Sequence, residues 1–280
     1  MTSPSKTSLA ESRIAIIGAG VMAESIASGL MADRIVSPTQ ITASHPRHDR
    51  RTQLAAKHGI NVLESNADAV KDADLILLTI KPQVMTAVMG DLAAVLERNQ
   101  TVISIAAGTT VAQLKRGLRH DAIVRVMPNT PAQVGEGMAL WYASPEVTDD
   151  AKDKVRLTLG ALGMELEVDE EKYVDMATAL SGTGPTYVFL MMEALIDAGV
   201  HMGFPRRIAE QIVMQTVGGS VSYARHSGLH LAELRNMVTS PGGTSAEAIY
   251  QMEKGGLRTI LSKSVYAAYK RTQSLAKEGE

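Results

Sequence analysis

Two short stretches hold the residues best suited to chemistry. In the first, Gly18-Ala19-Gly20-Val21-Met22-Ala23 follows directly on the apolar run Ile14-Ala15-Ile16-Ile17 and opens a helical stretch from Ala23 to Ala32. Strand, glycine turn and helix in that order form the fingerprint of a dinucleotide site, here with Ala in the third position. Gly18 permits the tight turn, Gly20 without a Cβ lets the backbone approach a pyrophosphate, and Ala23 is small enough for the helix to lie close on the strand. The phosphates would meet free N–H groups at the positive end of the helix dipole. Any strand-to-helix turn holds two glycines with ease, so the motif draws its weight from this context. The second stretch is Thr239-Ser240-Pro241-Gly242-Gly243-Thr244-Ser245, immediately before a helix at Ala246 to Lys254. Hydroxyls, glycines and a helix N-terminus suit a small carboxylate. A plain helix cap is the alternative, but a cap needs only one Ser or Thr.

The end of the second strand bears on which dinucleotide is bound. An NAD site places a carboxylate there to hold the ribose hydroxyls; this chain has Ser44, with Arg47 three residues on. Hydroxyl plus guanidinium suits a 2′-phosphate, so NADP(H) is preferred and NAD(H) stays open. The competing reading of Arg47 is a cation on a solvated helix start, alongside Arg50 and Arg51. Other features read as structural. His226 and His230 flank a loop, and no His spacing suits a metal. Asp169-Glu170-Glu171 is a solvated linker and helix start, and Met191-Met192 fills core. Ser181-Gly182-Thr183-Gly184-Pro185 lacks the Lys of a phosphate loop and is read as the turn before a helix, with Pro185 near its first position.

Strands are expected at Ile14 to Ile17, Ile41 to Ser44, Asn61 to Leu63, Leu75 to Ile80, Val102 to Ile105 and Ile123 to Met127. Helices at Arg47 to His58, Asp68 to Lys71 and Val84 to Leu96 fall between them. Two more strands, Met138 to Ala143 and Glu165 to Val168, flank a helix at Asp150 to Leu162. The alternation predicts an α/β fold with a parallel, doubly wound Rossmann-type sheet. Ligands of such sheets lie beyond the carboxyl ends of the strands, where Gly18, Ser44, Lys81, Gly108 and Asn129 stand. Past residue 168 only helices are expected, which divides the chain into a dinucleotide domain at 1–168 and an all-α domain at 169–280. There, Pro185 to Met202 is apolar almost all round, with Pro205 to His226 and Leu257 to Leu275 as the other long helices. A helix apolar on every side needs burial, and burial against a second copy of the chain is the simplest supply.

Composition excludes several classes of function. The 280 residues carry a net charge of −2, which makes no electrostatic case for nucleic acid or an anionic membrane. No Cys is present, so disulfides, thiolate metal sites and cysteine nucleophiles are absent together. No apolar run approaches the ~20 residues that span a bilayer. The polar first dozen residues are expected to fray and contain no signal-peptide core, so a soluble, cytoplasmic protein is expected. Aromatics are only 4% and Met numbers 15, so the cores are expected to be aliphatic and methionine-filled.

Taken together, GAGVMA at Gly18 to Ala23, IKPQ at Ile80 to Gln83, AAG at Ala106 to Gly108, MPNTP at Met127 to Pro131 and LSGTGPTY at Leu180 to Tyr187 resemble the pyrroline-5-carboxylate reductase family. The most specific match is MVTSPGGTSAEAIYQME at Met237 to Glu253, and the resemblance runs from Arg13 to Leu275. It implies hydride transfer from NADPH to the cyclic imine 1-pyrroline-5-carboxylate, giving L-proline. It implies a cofactor site at Gly18, Ala19, Gly20, Val21, Met22, Ser44, Arg47 and Asn66, continued by Ile80, Lys81, Pro82, Ala106, Ala107, Gly108 and Asn129. The substrate carboxylate would bind at Ser240, Gly243, Thr244 and Ser245, with Ser245 as the catalytic partner of the imine nitrogen. The family usually has Thr where this chain has Ser245, which keeps the hydroxyl and drops a methyl. Its helical domains form dimers, often joined into rings such as decamers. Two rival readings are a 3-hydroxyacid dehydrogenase or related imine reductase of similar build, and a non-catalytic NADP-binding sensor. Against the first, Lys254 and Lys263 lack the motif such dehydrogenases use.

Overall fold

The computed structural model describes residues 9–32 and 34–278. Strands β1 (Ile14–Ile17), β2 (Ile41–Ser44), β3 (Asn61–Leu63), β4 (Leu75–Leu78), β5 (Thr101–Ser104), β6 (Ile123–Met127), β7 (Gly137–Ala143) and β8 (Gly163–Glu167) form one sheet, in the order β3-β2-β1-β4-β5-β6-β7-β8. Side chains alternate across each strand. Ile14 and Ile16 therefore join the core on one face, while Ala15 and Ile17 join the core on the other. Burial on both sides is why these strands read as unbroken apolar runs. Chain order reverses between β1 and β4, which opens a crevice at their carboxyl ends.

The sheet departs from the all-parallel expectation at one place. β7 runs antiparallel to β6, with Arg125 opposite Tyr142 and Val126 opposite Trp141. The link at 128–136 forms a 3-10 turn over Thr130–Val134. It is too short for the crossover of roughly a dozen residues that parallel neighbours need.

Helices α1 (Val21–Ala32), α2 (His48–His58), α3 (Asn66–Val70), α4 (Pro82–Leu92), α5 (Val111–Leu118) and α6 (Asp149–Gly160) cover the sheet. α5 was not expected from the apolar pattern, although Thr110 and Gln113 form a reciprocal capping box at its start. Part of the stretch expected to fray is anchored instead. Leu9 is fully buried, and Gln40 Nε2 donates to the carbonyls of Leu9, Ala10 and Ser12. The rest of that expectation falls on residues 1–8, outside the described residues.

After β8 come α7 (Lys172–Ala177) and a π-helical segment at Thr178–Gly182, where a turn was expected. Glu171 caps the start of α7, as expected, but it is not a solvated linker residue. Together with Asp175 it receives the buried guanidinium of Arg125, at 2.9 and 2.5 Å, and it also accepts the Val111 N–H at 2.8 Å. This ion-pair cluster ties α7 to β6 and to the start of α5. The compact units accordingly divide later than residue 168. One comprises the chain to Thr183 together with Ala268 onward, and the other is Gly184–Ala267.

The second unit holds α8 (Gly184–His201), α9 (Arg206–Ser227), α10 (Leu231–Met237), α11 (Thr244–Lys254) and most of α12 (Leu257–Glu278). α8 and α9 approach closely at Gly199, where an added Cβ would stand 3.1 Å from Ala209 Cβ. α8 is not buried within one protomer. Phe189, Leu190 and Met202 are 61%, 66% and 74% exposed, and Met191, expected as core, is exposed as well.

Candidate active site

The glycine turn is built as its residue types require. Gly18 has φ +97°, and a Cβ there would meet Ile80 Cγ2 at 2.7 Å, so both conformation and space demand glycine. Thr79 Oγ1 donates to the Gly18 carbonyl at 2.7 Å and to the Ile17 carbonyl at 3.1 Å, locking the turn to the end of β4. Gly20 differs: nothing lies within 4 Å of an added Cβ. No protein contact excludes a side chain there, and the open space belongs to the adjoining cavity.

That cavity holds about 800 Å³ at the crevice between β1 and β4, within the range of small-molecule and cofactor sites. Gly18, Ala19, Gly20, Ser44, Asn66, Ile80 and Lys81 line it, seven of the expected cofactor residues brought together from four strand ends. Ser44 is fully buried and donates from Oγ to Asn66 Oδ1 at 2.8 Å, while Asn66 Nδ2 donates to Asp91 Oδ2 at 3.0 Å. Lys81, the N-cap of α4, is exposed at the cavity rim. His45, Glu64, Thr79 and Asp91 also line the cavity and were not foreseen. Thr79 and Glu64 follow strand ends, the position that flags ligand contacts. Asp91 lies far along α4 and carries no local signal. Burial lowers the pKa of His45, whose Nδ1 accepts the Arg47 N–H at 3.1 Å. A lowered value favours the neutral ring.

The remaining expected cofactor residues lie outside this cavity wall. Val21 stands exposed at the start of α1, and Met22 packs against the core. Arg47 is the N-cap of α2, and its exposed side chain pairs with Asp49, with Nε to Oδ1 at 3.1 Å. This contact raises the arginine's pKa and brings the Asp49 carboxyl down to about 2. Pro82 opens α4, and Ala106 is buried with its N–H on Ser104 Oγ. Ala107 leads into Gly108, whose φ of +75° and contact with Leu275 give it a structural reason to be glycine. The Asn129 amide is engaged on both sides: Oδ1 accepts the Met138 N–H at 2.9 Å, and Nδ2 donates to the Ser181 carbonyl and hydroxyl.

The second stretch folds as a tight loop opening α11. Gly242 has φ +71°, the Gly243 N–H donates to the Ser240 carbonyl at 3.0 Å, and Gly243 is the N-cap. A Cβ at Gly243 would stand 2.5 Å from Ser240 Oγ, so glycine at this position leaves that hydroxyl its room. Among the described residues, the hydroxyls of Ser240, Thr244 and Ser245 form no hydrogen bond within the chain. A plain cap would have spent one of them. His226 Nδ1 meets the Ser222 carbonyl at 2.7 Å, and His230 Nδ1 accepts the Ala232 N–H at the start of α10.

A family model described as pyrroline-5-carboxylate reductase dimerisation matches residues 171–275, and one described as NADP oxidoreductase, coenzyme F420-dependent, matches 13–108. A pyrroline-5-carboxylate reductase of Pseudomonas aeruginosa is 41% identical over 267 residues, spanning 95% of this chain and 97% of its own. The chain belongs to the pyrroline-5-carboxylate reductase family. The reductase of Arabidopsis thaliana is 39% identical over 94% of this chain and 95% of its own. Among solved structures, a pyrroline-5-carboxylate reductase from Coxiella burnetii superposes with a TM-score of 0.89 at 35% identity, covering 95% of this chain and 98% of that one. The Plasmodium falciparum pyrroline carboxylate reductase with NADP bound gives 0.86 at 30% identity, with the same two coverages. The dimerisation model covers the region where the single protomer exposes Phe189, Leu190 and Met202, as expected of a homo-oligomer.

Proposed function

We propose that this chain reduces 1-pyrroline-5-carboxylate to L-proline, with the cavity over the glycine turn holding NADPH and the Ser240–Ser245 loop holding the substrate. The observation that carries the cofactor half is the open space over Gly20 in a cavity of about 800 Å³ at the β1/β4 crevice. Gly18, Ala19 and Gly20 would hold the pyrophosphate, Ser44, Arg47 and Asn66 the phosphorylated ribose, and Lys81 the rim. NADPH supplies a hydride when bound, and no nucleophile is required of the protein. The substrate carboxylate would be taken by the Ser240 and Thr244 hydroxyls and by the free N–H groups at the start of α11. Holding the imine by its carboxylate makes orientation the main source of rate. Ser245 is a weak acid, so its role is to orient an iminium already protonated in solution or to relay a proton from water.

The functional division stays near residue 168, supported by family models ending at 108 and beginning at 171. The working form is a homodimer through the helical domain, assembled further into rings such as decamers, in the cytoplasm. Support for the dimer is the apolar exposure along α8. Among the described residues no helix is long and apolar enough to cross a membrane. Following NADPH oxidation spectrophotometrically with pyrroline-5-carboxylate tests the activity, with open-chain 3-hydroxy acids and NADP run in parallel. Turnover of the imine alone is expected. Turnover of the hydroxy acids alone would replace this reading with a dehydrogenase, and no turnover of either with intact NADPH binding would favour a sensor.

A further inference from the structure

Arg50 lies behind the glycine turn, on α2 and outside the cavity lining. Its Nε donates to the Ala19 carbonyl at 2.8 Å, one terminal nitrogen to Glu24 Oε2 at 2.7 Å and the other to Gln53 Oε1 at 2.6 Å. The planar fork thus spans three partners at once, which a lysine ammonium cannot reproduce in the same geometry. Glu24, in the first turn of α1, also receives Lys57 and His58. Arg51, the next residue, is used differently: it donates to the His45 and Pro46 carbonyls and to Glu64.

The Ala19 carbonyl shares its peptide group with the Gly20 N–H, and all peptide bonds among the described residues are trans. In a planar trans peptide, C=O and N–H point in opposite directions. Pinning the carbonyl toward Arg50 therefore aims the Gly20 N–H the other way, and that N–H forms no hydrogen bond among the described residues. We propose that Arg50 is a positioning residue for the dinucleotide: anchored by Glu24, it fixes the Ala19–Gly20 peptide so that its N–H is presented to the pyrophosphate. The proposal rests on the cavity taking a dinucleotide.

Because the pyrophosphate is common to both cofactors, Arg50→Met should raise KM for NADPH and NADH in parallel. A rise of about 10-fold, with kcat within about twofold, is what one lost charge-assisted hydrogen bond allows. Glu24→Gln keeps an acceptor for Arg50 but weakens the anchor, so it should raise both KM values in parallel and by less than Arg50→Met does; a rise for one cofactor alone would overturn the proposal. Should Arg50→Met fail to fold, Arg50→Lys decides the matter. It retains the ion pair with Glu24, so a parallel rise in both KM values supports the proposal. Unchanged KM values in either folded variant, a rise for NADPH alone, or a fall in kcat alone would overturn it. Calorimetric titration of the unaltered chain with NADPH keeps the two readings apart. No binding there removes the cofactor site itself, whereas intact binding with an insensitive Arg50→Met removes only the role of Arg50.

Discussion

At Arg47 the guanidinium already has a carboxylate, Asp49, two residues on, and in the proposed site a ribose 2′-phosphate would have to compete with it. Both side chains are exposed, 71% and 68%, so water and salt screen the pair and it holds the guanidinium only weakly. A bidentate phosphate contact brings more charge and two parallel hydrogen bonds, so the phosphate should displace Asp49. Arg47→Ala is then expected to raise KM for NADPH about 10-fold or more while hardly changing that for NADH. Equal losses with both cofactors would remove Arg47 from the 2′-phosphate site, and would separate its effect from that expected at Arg50. At the other site, Ser245 has a hydroxyl that no residue of its own chain uses. Ser245→Ala should lower kcat/KM about 10- to 1,000-fold, the range for one donor lost from a transition state, while Ser245→Thr keeps most activity. Turnover by Ser245→Ala at the parent rate with unchanged substrate KM would reduce the loop to a helix cap.

The elements α1 and α2 are joined through Glu24, whose carboxyl is brought from 4.5 down to about 2, most by Lys57, then by Arg50 and His58. A carboxylate with a depressed folded-state pKa contributes stability that is full above its unfolded value and drains as pH falls through the folded one. The Tm advantage of the parent over Glu24→Gln should therefore be full at about pH 5 and be largely lost by about pH 2. A gap independent of pH over that window would mean that Glu24 acts through packing alone. Neither this joint nor the Arg125 cluster was legible in the sequence, because each depends on which elements lie side by side. The local part was legible: β1, the glycine turn and α1 occur in the order that the motif demands, and the strand-end rule pointed to Ser44 and Lys81. The reversed direction of β7 was not, since alternation of apolar residues carries no sense of direction. Helix α5 was signalled by Thr110 and Gln113 but lacks a long apolar period. Asp91 enters the cavity only because α4 runs past Asn66.

For the whole molecule, the decisive feature is a helical unit that leaves its apolar side chains in the open. Val213 and Ala209 are among the few buried residues there, while Leu190, Met202 and Met214 are well exposed. Contiguous apolar exposure of this kind marks an interface, and in an obligate dimer the interface serves as core. A charge on α8 at Ala194 or Leu195, as in Leu195→Glu, should therefore give insoluble or unfolded chain. Sedimentation of that variant as a stable, active monomer at micromolar concentration would contradict the proposed dimer. The central claim, that this molecule moves a hydride from NADPH onto the carbon of a cyclic imine held by its carboxylate, is tested most directly with an isotope. NADPH carrying deuterium in its transferable position is incubated with the protein and pyrroline-5-carboxylate, and the product is analysed by mass spectrometry and NMR. The account predicts proline with a single deuterium on the ring carbon that had been the imine carbon. Proline formed without deuterium, or NADPH consumed without proline, would contradict it.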